Sequence, residues 1–464
     1  MNNDSKSAED NAVSGKLLIM GARANHSVIG VFRPQRWRLV ALDAATLQPI
    51  TATWRYKGQD TSVTAKSFID TDPYARLLVS AGAAQLTLNP LNIIGNFPAF
   101  CALTSESSLH AWGWAENGGE LPSDIAKLKD VTQISASMAA FAVRRATGQV
   151  MAWGSPDNPS SLVPPDIAAL RDIVAVYGGA YVFVALQASG HIVAWGLDET
   201  GGRLPDYIAQ RSDFVSAMGS EFAFAALSRS GKVFAWGDSR FGGKIPDDIR
   251  PLTDVVQLAS SGYTLALRRS NGHIACWGNP AYATIPPEID ELDDIIDLVG
   301  NSSAYAARRR NGQVVGWGLL ADATPPREIA NLTDIVHLTC TSGAFIALRT
   351  TGQIVAWGQG ATVILPPEVA QLTDVVAIST NHDAAVALRS NGKAVAWGDP
   401  ELGGDSSGIS HLLVNVRAVY SGTNTFAALL SDNRVIAWGD PHKGGTGEQK
   451  TLYRRIAYEG HPDI

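Results

Sequence analysis

The chain has 464 residues, 45% hydrophobic and 17% charged, with a formal net charge of −7 at pH 7. That length exceeds one ordinary domain, so several domains or one large repetitive domain is expected, and the composition is that of a folded globular protein. The negative balance argues against broad nucleic-acid binding, which needs a clustered basic surface; no stretch approaches the roughly eighteen apolar residues of a membrane-spanning helix.

The opening MNNDSKSAEDNAVSG, residues 1–15, is polar and has no basic stretch followed by an apolar one. It reads as a disordered leader without a secretory signal, so the expected location is the cytoplasm, with non-classical export as the alternative. Residues 16–90 carry the segments KLLIMGAR, WRLVALDA, ITATWRYKG, TAKSFID and AAQLTLNP. They are predicted to be short strands of a small immunoglobulin-like β-sandwich, with Trp37 and Trp54 in its core.

Residues 91–464 are dominated by a repeat. Trp-Gly occurs at Trp112, Trp153, Trp195, Trp236, Trp277, Trp317, Trp357, Trp397 and Trp438, at intervals of 40 to 42 residues. In the unit beginning at Asp254, an apolar run DVVQL is followed by a Ser261-Gly262 break and then by YTLAL. A Ser270-Asn-Gly turn leads to His273-Ile-Ala-Cys-Trp-Gly. Short apolar runs joined by glycine turns, Asn-Gly above all, predict three antiparallel strands. After the Trp-Gly comes a variable loop, then a proline segment such as Val163-Pro164 or Ile285-Pro286. Proline has no amide to donate, so this segment is expected to be a short edge strand or an extended connector. It feeds the next unit through an aspartate (Asp130, Asp172, Asp213, Asp254, Asp294, Asp334 or Asp374) expected to cap a turn.

Small sheets repeated every 40 residues or so predict an all-β fold, a β-propeller of seven to nine blades preceded by the small sandwich domain. An isolated sheet of this size is barely stable, so each must bury its faces against neighbours, and the nine tryptophans are expected to fill the gaps between blades. The pattern Gly, a few residues, Ala-Leu, a glycine turn and Val-x-x-Trp-Gly resembles the repeats of the regulator of chromosome condensation superfamily, over residues 91–460. The segments NGGELP, TGGRLP and FGGKIP make it similar to a compact bacterial branch that includes propeller-type β-lactamase inhibitors. The resemblance implies a ring that normally has seven blades, where this chain has nine markers. It brings no inserted wedge of the kind the Ran exchange factor uses. The closing LYRRIAYEGHPDI resembles the first strand of a further unit, able to latch the ring by completing the first blade or to begin another repeat.

The nine histidines are scattered, and neither a His-Glu-x-x-His nor a phosphate loop is present. Cys101, Cys276 and Cys340 are isolated thiols in strand-like surroundings, read as buried and free. No catalytic residue, metal or cofactor is implied, and the chain is not expected to be an enzyme. Strand direction puts one rim of the ring at the turns carrying Arg144, Arg268, Arg308, Arg349 and Arg389, interleaved with the aspartates. This pattern suggests structural ion pairs, the run Arg308-Arg309-Arg310 being a weak candidate for an anion or an acidic partner.

The other rim gathers the variable loops, the usual seat of recognition on a repeated frame. Trp114, Tyr181, Phe222, Phe241, Tyr263 and Tyr282 are its candidate anchors, because aromatic residues dominate binding hot spots. The reading is a monomeric, non-catalytic scaffold for an unidentified protein partner, with no nucleic acid and no membrane span. A regulator of an enzyme or GTPase, and a surface or secreted adhesion module, are the alternatives.

Overall fold

The computed structural model describes residues 16–23, 37–90, 92–319, 323–449, 456 and 458–460; the leader at 1–15 lies outside them. The fold is all-β, an array of repeated three-stranded sheets in the arrangement of a β-propeller. Each Trp-Gly marker closes the third strand of one sheet, and nine such sheets follow one another among the described residues. In the Trp277 sheet the strands are Val255–Ser260, Thr264–Arg269 and Ile274–Gly278. They pair antiparallel in chain order, with Leu265 opposite Trp277. Gly272 in the second turn has φ 89°, and a Cβ there would sit 2.0 Å from the Asp293 carbonyl oxygen. The chain entering the next sheet runs directly over this turn, so no other residue type fits it.

The proline segments take the connector form and end in a single helical turn, as at Pro165–Ala168, Asp206–Ala209 and Pro367–Ala370. A fourth strand occurs in one repeat only among the described residues, Gly447–Glu448 beside Val435–Gly439. The nine tryptophans are at most 7% exposed. Core clusters mix residues of adjacent sheets: Ala266 and Ile274 of the Trp277 sheet pack with Ile295, Tyr305 and Trp317 of the next.

The first strands of successive sheets contact one another in sequence, and the last, Val416–Ser421, contacts the first, Ile93–Gly95. A belt of backbone hydrogen bonds follows the same path at the turns that end these strands. Phe97 N donates to Met138 O (3.1 Å), Met138 N to Ala180 O (2.9 Å), Gly262 N to Ser302 O (3.1 Å) and Ser302 N to Ser342 O (3.2 Å). Ser342 N then donates to His382 O (2.8 Å), His382 N to Thr423 O (3.2 Å), and Thr423 N returns to Asn96 O (3.3 Å).

Residues 16–90 form two further sheets. One has the strands Leu17–Met20, Trp37–Asp43 and Ser67–Asp70. The other comprises Ala52–Tyr56, Val63–Ala65, Leu77–Ala81 and Ala84–Leu88, joined at its edge by Glu459–Gly460 from the far end of the chain. Trp37 and Trp54 are buried, and Trp54 stacks on Phe68 at 5.4 Å. The strand Leu77–Ala81 was not among the predicted segments. Among its described residues the closing segment joins this sheet and not the first repeat: Glu459 pairs with Leu88, and Tyr458 is buried.

These two sheets sit on the arginine rim. Gly21 N donates to Arg417 O (2.9 Å), Arg417 Nε donates to Ile19 O (3.0 Å), and the Arg38 guanidinium donates to Val376 O. One core cluster runs from Ile19, Leu39 and Trp54 through Phe100 and Trp112 to Tyr420.

Candidate partner-binding rim

Antiparallel pairing brings the turn after each first strand beside the loop after each Trp-Gly, because the second strand starts where the third ends. Val182 lies opposite Gly196 and Thr264 opposite Gly278. At the last position of that turn the repeats carry Pro98, Ala139, Tyr181, Phe222, Tyr263, Ser303, Gly343, Asp383 and Asn424. The aromatic members fall on three consecutive sheets, those of Trp195, Trp236 and Trp277.

The loops extend this run. Asp238 accepts from Arg240 N (2.9 Å) and starts the turn Ser239–Phe241, which swings Phe241 toward Phe222 at 4.6 Å between ring centroids. Phe241 lies 5.6 Å from Tyr263, and Tyr263 lies 4.9 Å from Tyr282 on the short helix Pro280–Ala283. Phe222, Phe241, Tyr263 and Tyr282 thus form one half-buried strip. Arg240 holds its guanidinium 5.2 Å from the Phe241 ring while paired to Asp238. Tyr181 adjoins the strip through Glu221: burial, and then the Glu221 charge, push the Tyr181 phenol up. Trp114 is 47% exposed on the first repeat's loop and shares no ring contact with the strip.

Sequence reasoning missed Glu221. It stands in the turn just before Phe222, half buried, and burial pushes its carboxyl above the ordinary glutamate range. At that turn position the repeats read Phe97, Met138, Ala180, Glu221, Gly262, Ser302, Ser342, His382 and Thr423. The single acid was the available signal. The opposite arc is polar: burial lowers the His382 imidazole, with Asp383, Asp399 and Lys443 nearby.

The arginine rim departs from expectation in detail. Asp130, Asp254, Asp294, Asp334 and Asp374 are held by Arg145, Arg269, Arg309, Arg349 and Arg389 at 2.8–3.1 Å between nitrogen and oxygen. The carboxylates take arginine, and the aspartate carbonyls serve the turns, as Ser270 N does with Asp254 O at 2.8 Å. Arg144, Arg268 and Arg308 each precede the pairing residue by one, and strand alternation sends them to the other face. Opposite them lie the buried Gln133, Gln257 and Asp297. The run Arg308-Arg309-Arg310 is therefore divided: Arg308 lies opposite Asp297, Arg309 pairs with Asp294, and Arg310 is exposed.

Cys101, Cys276 and Cys340 form no disulfide, and burial pushes the Cys101 and Cys276 thiols up, away from reactivity. Among the described residues no three His, Cys, Asp or Glu side chains come together in a way that could hold a metal ion, and no helix is long and apolar enough to cross a membrane.

No family model and no curated protein matches the chain. Among solved structures it is similar to the ectodomain of the receptor kinase CR4 of Physcomitrella patens, at 18% identity and TM-score 0.39 over 61% of this chain and 78% of that one. It is similar to Prp20p of Saccharomyces cerevisiae, described with its binding to Gsp1p and histones, at 17% identity and TM-score 0.36 over 66% and 81%. Yeast RCC1 (Prp20) bound to Kap60 aligns at 14% identity and TM-score 0.34 over 86% of each chain.

Proposed function

We propose that the chain is a monomeric, non-catalytic binding protein in which residues 91–464 form a closed ring of nine blades and residues 16–90 a small β-sandwich fixed to one rim. The cyclic contact of first strands and the return of the hydrogen-bond belt from Thr423 to Asn96 support the ring. With the sandwich on the arginine rim, the variable-loop rim is the face offered to a protein partner. The observation that carries this reading is the contiguous strip of Phe222, Phe241, Tyr263 and Tyr282, four rings linked by successive contacts on neighbouring blades. Clustered, partly exposed aromatics supply large contact area at low entropic cost. The resemblance to the compact bacterial propellers fits a protein-binding role, and regulation of a bound enzyme is one form it could take.

The test is capture of partners from the source cell by three proteins. These are wild type, a variant combining Phe241→Ala, Tyr263→Ala and Tyr282→Ala, and Arg310→Glu on the opposite rim. A stoichiometric partner held by wild type and Arg310→Glu but lost by the folded triple variant is expected. Retention by the triple variant, or loss with Arg310→Glu alone, overturns the reading.

A further inference from the structure

The belt of backbone bonds around the variable-loop rim is interrupted at one place. Seven of the nine junctions between sheets carry a turn-to-turn N–H to carbonyl bond; the two that lack one flank the Trp236 sheet. Ala180 N does not donate to Glu221 O, and Glu221 N does not donate to Gly262 O. The turn of residues 220–222 is closed like those of the other repeats, with Ser220 N donating to Ala223 O at 2.7 Å and Ala223 N donating to the Ser220 hydroxyl at 3.1 Å, so only its bonds to the neighbouring turns are missing. The break coincides with Glu221, the one acid at its position in these turns, and with the start of the aromatic strip.

Glu221 has no arginine or lysine partner among the described residues. The nearest cation along the strip, Arg240, is already neutralised by Asp238. Asp198 and Glu199, on the adjoining loop after Trp195, are exposed and likewise without an ion pair. A half-buried carboxylate with no counter-ion favours a cation that brings its own hydrogen-bond donors. Aromatic faces at the same place attract guanidinium and ammonium groups, and they cover the alkyl stems that carry them. The backbone groups that the belt leaves unused at the half-buried Glu221 suit an extended segment, which presents its own N–H and carbonyl groups along its length.

We propose that the break in the belt is a docking site for an extended segment of a partner protein bearing an arginine or lysine, its cation against Glu221 and its flanking apolar side chains on Phe222 and Tyr263. This rests on the variable-loop rim being the binding face and adds the chemistry of what binds there.

The probe is a phage-displayed library of random dodecapeptides, selected on the full chain. Enriched peptides are expected to share an arginine or lysine beside apolar residues, to bind Glu221→Gln about tenfold or more weakly than wild type, and to lose that preference at high salt. Glu221→Gln is nearly isosteric and keeps the fold, so a lost cation partner is separable from a lost structure. Enriched peptides without a basic residue, or with equal affinity for Glu221→Gln, overturn the proposal. If such peptides still fail to bind the triple aromatic variant, the binding face survives and only its cation preference falls. If they bind that variant as well as wild type, the face itself falls with it. A selection that enriches nothing also overturns the docking site, leaving the face to the capture experiment.

Discussion

The indole Nε1 of Trp277 donates a 2.9 Å hydrogen bond to the carbonyl of Gly242, which lies on the loop of the preceding sheet. Trp153, Trp195, Trp236, Trp397 and Trp438 repeat the bond at 3.0–3.1 Å, each to a residue 35 positions earlier, and Trp357 reaches back 34 to Ala323 O. The tryptophan is therefore both filler and latch between neighbours. Trp277→Ala should cost about 3–5 kcal/mol through the cavity it leaves. Trp277→Phe should cost less, about 1–3 kcal/mol, because much of the ring volume stays while the Gly242 carbonyl loses its donor. Denaturant unfolding of both variants checks the order; equal costs would show that ring volume recovers nothing and that the loss comes from the bond both variants lack.

The two kinds of Arg–Asp pair should behave very differently. Arg349 and Asp334 are each about a quarter exposed, so Arg349→Ala should change stability by about 0.2–1 kcal/mol. Arg23 and Asp70 are fully buried at 2.8 Å, and Arg23 also donates to the carbonyls of Asp72, Ala75 and Asn89. Asp70 additionally accepts from the Tyr56 hydroxyl at 2.7 Å. Asp70→Ala leaves a buried guanidinium without its counter-ion and should cost about 3–5 kcal/mol. Thermal unfolding monitored near Trp54 is the measurement, and a loss at Asp70 no larger than at Arg349 would contradict the assignment.

Glu221 predicts a pH dependence of definite sign. Its folded-state carboxyl titrates above its ordinary value of 4.5, chiefly through burial, with the Tyr181 phenol facing it. The neutral form is favoured in the native state, so the stability it supports is full below about 4.5 and declines as pH rises through the raised value. Glu221→Gln removes the titration. The variant should match wild type at about pH 4 and unfold at a higher temperature at pH 7, each read from melting curves. A variant less stable than wild type at pH 7 would mean that Glu221 is already stabilised as an anion.

The repeat was legible because one bulky residue recurs at a fixed point, and the physics that buries Trp277 buries its eight counterparts. The strip was legible in part: the six aromatics were visible as loop residues, but only folding shows that four of them meet and that Trp114 does not. The break in the belt was hidden, since a backbone bond leaves no mark on side-chain identity, and Glu221 was one acid among many. The arginines were misaligned by one position where two stand in tandem. Alternation along a strand then decides which of Arg268 and Arg269 reaches Asp254, and composition alone does not reveal it. The closing segment carries a first-strand pattern, yet it pairs with Ala84–Leu88, because a period-2 pattern marks a strand without naming its neighbour.

The return junction between the last and first sheets gives the most direct test of a closed ring. A Cβ at Gly95 would lie 2.6 Å from the Gly422 Cα and 2.7 Å from the Ser421 carbonyl oxygen, so two backbones meet there with no room for a side chain. Gly95→Ala forces the junction apart and should cost about 1–3 kcal/mol, the usual penalty for overpacking. It should also weaken the Thr423 N to Asn96 O bond, which lies one residue further on. Amide hydrogen exchange in Gly95→Ala should rise first in the segments around Asn96 and Thr423, while the Trp277 sheet on the far side keeps its protection. Uniform protection with unchanged stability would show that the first and last sheets do not bear on each other in solution, and the ring would then be an open array.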